Sequence, residues 1–198
     1  MQTFLAKARD PKNVEYLLAV NAGEAFSLPV DALSGWGRCA LVQEGVTGPN
    51  SGYNAAAQAS RGDILMTIAD DYFPPDGWDE QIRAVIPDVG EEVVLDVDNS
   101  DGVARLLPFS ILTRPYYQRY GYILYPAYHG FFGDNEFTEQ ARRDRVIRRA
   151  RHIVFEHRHP DRGTAPMDAI YARQRSHFDE GKKLFRERKA KGFPKWPE

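Results

Sequence analysis

Residues 61–78 read Arg61-Gly62-Asp63-Ile64-Leu65-Met66-Thr67-Ile68-Ala69-Asp70-Asp71-Tyr72-Phe73-Pro74-Pro75-Asp76-Gly77-Trp78, and this stretch decides the fold. Gly62-Asp63 is a stop and turn, and the apolar run 64–69 that follows is short enough for a buried strand. Two adjacent acids end that strand, and a proline-stiffened turn follows them. Upstream, the alanine-rich segment 51–60 (SGYNAAAQAS) reads as a helix. Before that lie two more strand-like runs, 14–20 (VEYLLAV) and 38–43 (RCALVQ). Phe4, Leu5 and Ala8 are at helical spacing, and this first helix should end near Asp10-Pro11, because a residue before proline avoids the α region. Downstream, 78–86 reads as a helix and 92–97 as a strand. Strands alternating with helices in this way imply βαβ units. The expected fold class is therefore α/β, with a central, mostly parallel sheet flanked by helices.

The second half is less regular. A strand is predicted at 106–114, a helix at 114–120 opened by Pro115, a helix at 135–151, a short strand at 153–156 and a long charged helix at 167–188. No repeat or Gly/Ser linker divides the chain, so its 198 residues are expected to form one domain. Residues 1–100 and 101–165 would be its two halves, and 166–198 a C-terminal helix and tail. The chain has one cysteine, Cys39, which excludes an internal disulfide and multi-cysteine metal sites. The net charge of −2 gives no general attraction for nucleic acid, and none is expected as a partner. No apolar run approaches the ~20 residues of a membrane span, and the N-terminus lacks a signal-peptide core. A cytoplasmic location is expected.

Asp70-Asp71 lies where an open α/β sheet binds ligands, beyond the carboxyl end of a strand. Hard oxygen donors there suit Mg²⁺ or Mn²⁺, although a turn-forming pair of aspartates has the same local sequence. Asp134 and Glu136, in Gly133-Asp134-Asn135-Glu136, start a predicted helix. They suit either a general base or acids favoured by the helix dipole. His157 and His159, in His157-Arg158-His159-Pro160, include a possible metal ligand or form an exposed pair. The arginines between 142 and 151 read as a solvated helix face first, and as a phosphate or partner contact second.

The order of these motifs resembles family 2 glycosyltransferases of the GT-A fold. The resemblance rests on Gly52-Tyr53-Asn54-Ala55-Ala56, on Arg61-Gly62-Asp63-Ile64-Leu65 leading to Asp70-Asp71, on Phe73-Pro74-Pro75-Asp76-Gly77-Trp78-Asp79, and on Gly133-Asp134-Asn135-Glu136-Phe137. It covers roughly residues 4–185. It implies a metal-dependent, inverting transfer of a sugar from a UDP- or GDP-linked donor to the hydroxyl of a glycan or other acceptor. By the resemblance, Asp71 is a ligand of Mn²⁺ or Mg²⁺, and Asp70 contacts the ribose or metal-bound water. Asn21 and Asn54 fall on the donor side. Asp134 is the general base and Glu136 its support. His157, or else His159, completes the metal or diphosphate site. Members of the family open with a strand (P-x-V-S-V-I-I-P-x-Y-N) ahead of their first helix, whereas Met1-Gln2-Thr3-Phe4 already reads as helix. A GT-A module that binds nucleotide or glycan without turnover is the alternative, and a binding domain using the basic stretch is a third.

Overall fold

A computed structural model describes residues 1–26, 34–100, 106–107, 109–158 and 175–196. The element order starts with helix α1 (Gln2–Lys7), a 3-10 turn (Pro11–Asn13), β1 (Glu15–Ala19) and β2 (Arg38–Val42). Next come α2 (Pro49–Ala59), β3 (Ile64–Met66), β4 (Tyr72–Phe73), α3 (Trp78–Val85), β5 (Val94–Asp98) and β6 (Ile111–Thr113). The chain continues with α4 (Arg114–Tyr120), α5 (Gly133–Asp144), β7 (Ile147–Val154), β8 (Glu156–His157) and α6 (Phe178–Ala190). The α/β class holds.

Among the described residues the strands form one four-stranded sheet, in the order β3-β6-β5-β7, and two ribbons, β1-β2 and β4-β8. β1 runs parallel to β2 and β5 parallel to β7, but β6 is antiparallel to both of its neighbours. The sheet is thus mixed rather than mostly parallel. A parallel neighbour needs a crossover of a dozen or more residues, usually a helix. Between β5 and β6 the sequence opens with the turn-forming Asn99-Ser100-Asp101-Gly102, which has no helical apolar period.

Alternation along β5 separates two cores. Leu95 and Val97 face one side, where Phe4 of α1, Trp78 and Ile82 of α3, Ile111 and Phe155 pack with them. Val94 faces the other, with Leu65, Leu112, Ala57 of α2, Tyr116 of α4 and Phe137 of α5. The sheet therefore carries helices on both faces. Asp79 ties α3 to the exit of α1: its buried carboxylate accepts the backbone N–H of Arg9 at 2.9 Å and of Asp10 at 2.8 Å.

The helix predicted over 135–151 stops early. Arg145 takes φ +60°, and the N–H of Val146 reaches back to the carbonyl of Ala141 at 3.3 Å, so a left-handed turn closes α5 without a glycine. Residues from Ile147 onward join the sheet as β7. Arginine has good helix propensity, which made the run look helical. Tertiary pairing overrides it: Arg148 reaches Glu91 at 2.6 Å, and Arg151 binds Asp96 at 3.0 Å and Asp98 at 2.9 Å. The basic stretch, expected as a solvated helix face, is split: Arg142 and Arg143 stay on α5 and Arg145 caps it, while Arg148, Arg149 and Arg151 lie on a strand, where Arg148 and Arg151 are paired with acids. The strand predicted at 153–156 divides between the end of β7 and β8. Residues 167–174 of the last predicted helix lie outside the described residues, and α6 begins at Phe178.

Candidate active site

The β4-β8 ribbon joins two parts of the sequence that are far apart. Tyr72 pairs with His157 and Phe73 with Glu156, and the N–H of Arg158 bonds the carbonyl of Asp71 at 2.9 Å. This register sets the His157 imidazole beside Asp71, with Nε2 3.1 Å from Oδ2. The Tyr72 ring stacks flat on the imidazole, with centroids 4.1 Å apart and planes 8° from parallel, and Tyr72 in turn packs on Phe109 of the core. The Arg158 guanidinium lies 3.9 Å over the Phe73 ring on the neighbouring position. The histidine is therefore fixed by backbone pairing and by stacking. Asp71 keeps its second oxygen, Oδ1, buried and without a hydrogen-bond partner among the described residues. A buried carboxylate oxygen left unpaired is costly unless a ligand completes it.

Asp70 is exposed beside this pair. The field of the two acids is felt by Tyr53 on α2, whose hydroxyl donates to the carbonyl of Ile68 at 3.2 Å. Burial first, then the charges of Asp71 and Asp70, push the Tyr53 hydroxyl up to about 12. Tyr16 on β1 is raised in the same sense by burial, with Cys39 and Asp70 contributing. For Tyr53 the folded protein holds its proton more tightly than the unfolded chain does. The stability this gives is present below the ordinary tyrosine value near 10 and is lost as pH rises from there to about 12. Tyr53→Phe should accordingly lose less stability than the parent between pH 9.5 and about 11, measured by urea denaturation. Parallel losses in the two proteins would assign the alkaline transition to other tyrosines.

Among the described residues no three His, Cys, Asp or Glu side chains converge on one point, so there is no closed metal cage. An open site still fits the donors present. Mg²⁺ is held by one or two carboxylates together with substrate phosphates and water. Asp71 offers one oxygen without a partner among the described residues and Asp70 the adjacent exposed carboxylate, while His157 Nε2 is engaged with Asp71 Oδ2.

Asp134 stands at the start of α5. Phe132 just before it takes φ +78°, a left-handed conformation that costs a bulky residue energy and marks a constrained helix start. Gly133 sits so close to α2 that a Cβ there would lie 2.9 Å from Asn50 Nδ2. Asn50 also holds the incoming loop, donating to the carbonyls of Tyr128 at 3.0 Å and Gly130 at 3.3 Å. Asn50 and Tyr53 are three residues apart, one turn of α2, which rises about 5 Å per turn. One helix thus supports both the acid pair, through Tyr53, and the start of α5, through Asn50. The Asp134 side chain is open to solvent but crowded by surrounding protein. That crowding raises its carboxyl above the ordinary value, against the lowering effect of the Asn135 N–H, which it accepts at 2.9 Å.

The remaining site residues of the sequence are engaged differently. Glu136 is buried, and Arg188 of α6 grips both of its oxygens at 2.7 Å, with the Tyr128 hydroxyl at 2.9 Å. Its carboxylate joins α5 to α6. Asn54 spends its amide on the backbone: Oδ1 accepts the N–H of Ile123 and of Leu124, and Nδ2 donates to the carbonyl of Leu124. Asn21 donates to Glu24 at 3.0 Å in a surface turn. His159 lies outside the described residues. Three residues that shape the site were not singled out in the sequence: Asn50, Tyr53 and Tyr72. Tyr72 carried a usable signal, since an aromatic directly after an acid pair at a strand end is placed to pack back on the core, as Tyr72 does on Phe109.

Protein-family models, curated proteins and solved structures contain no match to this chain.

Proposed function

We propose that the protein is a metal-dependent, inverting glycosyltransferase with a GT-A-like fold, acting on a UDP- or GDP-linked sugar. The observation that carries this reading is the Asp71–His157 pair with its buried, unpartnered Oδ1, placed past the end of β3. With its Nε2 protonated, His157 donates to Asp71 Oδ2 and leaves Oδ1 as the ligand atom. Asp71 and Asp70 would hold Mn²⁺ or Mg²⁺. The ion would supply positive charge where the leaving diphosphate becomes more negative. Asp134 accepts the proton of the attacking acceptor hydroxyl at its carboxylate, and its raised affinity for a proton makes it a better base than an ordinary aspartate. Glu136 holds the helix that presents Asp134 and does not touch the reactants. Asp71→Ala should weaken Mn²⁺-dependent binding of UDP or GDP by at least about tenfold, read by calorimetry, with the fold retained. Equal affinity in the variant would make Asp71 a turn residue and remove the metal from the proposal.

A module that binds without turnover is the second reading. It is favoured by the engagement of Asn54 and Glu136, which leaves neither free for donor or acceptor. Donor hydrolysis or transfer under conditions of measured Mn²⁺-nucleotide binding separates the two. Among the described residues no helix is long and apolar enough to cross a membrane.

A further inference from the structure

The arginines between 142 and 151 divide into two groups. Arg148 and Arg151 are spent on acids, and Arg143 donates to the Gly192 carbonyl at 2.6 Å and the Tyr120 hydroxyl at 3.0 Å. Arg142, Arg145 and Arg149 instead line one cavity of about 450 Å³. They reach it from three places: the last turn of α5, the left-handed residue that ends it, and β7. Each of the three is an exposed residue, and neither Arg145 nor Arg149 has an ion pair among the described residues. The one acid among the described lining residues, Asp96 of β5, stands in register with Arg149 and already accepts Arg151 at 3.0 Å. Leu106 and Ile147 add an apolar part to the wall. The cavity is at the far end of α5 from Asp134, and a helix of 12 residues is about 18 Å long.

We propose that this cavity binds a phosphomonoester, with its phosphate on Arg142, Arg145 and Arg149 and its organic body against Leu106 and Ile147. A guanidinium fork matches phosphate oxygens in pairs. Arginine cannot shed its proton, so three of them around one hollow repel one another until an anion enters. The helix dipole explains part of the cluster, because basic residues in a last turn are favoured by the negative helix end. It accounts for Arg142 and Arg143 but not for Arg149, which is on a strand. That helix end and Asp96 together carry about one and a half negative charges, against three positive ones in the wall and a fourth on Arg151. The hollow therefore keeps an attraction for an anion. Arg145 is an independent sign. At φ +60° it fills a place that glycine or asparagine usually takes, and a long side chain there is strained. Strained residues cluster where a site needs their side chain. The volume suits a small molecule and is too small for a duplex.

The test is calorimetry with glycerol 3-phosphate at low salt and in the presence of a chelator, so that no divalent ion can hold phosphate at Asp71. Glycerol 3-phosphate should bind and glycerol should not. Arg149→Gln should weaken binding by about tenfold or more, since hydrogen bonds between charged groups are the strong ones. Asp71→Ala should leave it unchanged. Arg145→Gly should weaken it too, while the melting temperature rises by about 2 °C as the strain is released. A lower melting temperature in Arg145→Gly would give that arginine to the fold and overturn its place in the site. Phosphatidylcholine vesicles containing phosphatidic acid carry the same phosphate on a lipid. Retention on them without binding of glycerol 3-phosphate assigns the phosphate to a headgroup. Equal retention on vesicles containing phosphatidylglycerol, a diester, is a general attraction to a charged surface and overturns the proposal. Absence of binding in both arms overturns it, as does glycerol 3-phosphate binding that is unchanged in Arg149→Gln or lost in Asp71→Ala. None of these readouts needs sugar transfer, so failure of the proposed function leaves them intact.

Discussion

Asp134→Asn should lower sugar transfer by about 10²–10⁴-fold, the usual contribution of a general base, with little change in donor binding. Asparagine keeps the shape of the side chain and can still accept the Asn135 N–H, but it takes no proton at neutral pH. The sign of the stability change is part of the expectation. Crowding holds the Asp134 carboxyl above its ordinary value, so the folded state disfavours the charged form that prevails at neutral pH. The carboxylate therefore works against folding above the ordinary aspartate value, and its neutral replacement should leave the melting temperature unchanged or slightly higher. A residue held only for the helix dipole behaves in the opposite way: transfer survives and stability falls by a few tenths of a kcal/mol. The rate of the parent protein should also decline on the acid side at a pH above that of an ordinary aspartate, and the variant should lack this limb. Retained transfer in Asp134→Asn would remove the base from this position.

Glu136→Ala should cost about 3–5 kcal/mol of stability, because it strands a buried arginine. Arg188 is 5% exposed, and its guanidinium lies between the Glu136 carboxylate and the Tyr125 ring, 3.1 Å from the ring centre. It also donates to the carbonyl of Pro194 at 2.7 Å. Removing the carboxylate leaves this charge with one carbonyl and an aromatic face, and frees the Tyr128 hydroxyl as well. The melting temperature should fall by about 10 °C or more. Replacing both partners, Glu136→Leu with Arg188→Met, should recover most of the loss, since an ion pair taken out whole can be neutral to stability. Two measurements on the single variant, melting and transfer below the transition, distinguish a structural carboxylate from a catalytic one. Loss of transfer with an unchanged melting temperature would return Glu136 to the active site.

Local chemistry made much of the framework legible. Pro115 at the first turn of α4 fixes the backbone by itself and α4 lies where the sequence puts it, whereas α1 ends at Lys7, ahead of the Asp10-Pro11 break, with Ala8 already extended. The run from Arg61 to Asp71 is equally local: a turn, a strand and an acidic end. The errors fall where distant residues decide. Nothing near Arg145 announces a left-handed cap, because the turn is stabilised by the strand that follows it. Glu136 looked like a site acid because its partner, Arg188, is 52 residues away. Asn54 looked available because the backbone it clamps is 70 residues away. The direction of β6 depends on a connection that the helical and strand periods do not describe. Of the candidate site, position along the sheet was readable, while which acids stay free was a property of tertiary packing.

The β4-β8 ribbon has a consequence for how the protein is made. Asp71 and His157 are 86 residues apart and meet only when a two-residue strand pairs with another two-residue strand. A ribosome that has released the chain as far as Trp78 has delivered both acids, and the histidine follows only after most of the sheet has emerged. Contacts this distant in sequence close late, since the entropy of a long loop must be overcome before they form. Until then Asp70 and Asp71 are two adjacent carboxylates on a flexible turn. The Asp71–His157 pair thus matures with the last steps of folding, and incomplete chains carry the two acids without the histidine beside them.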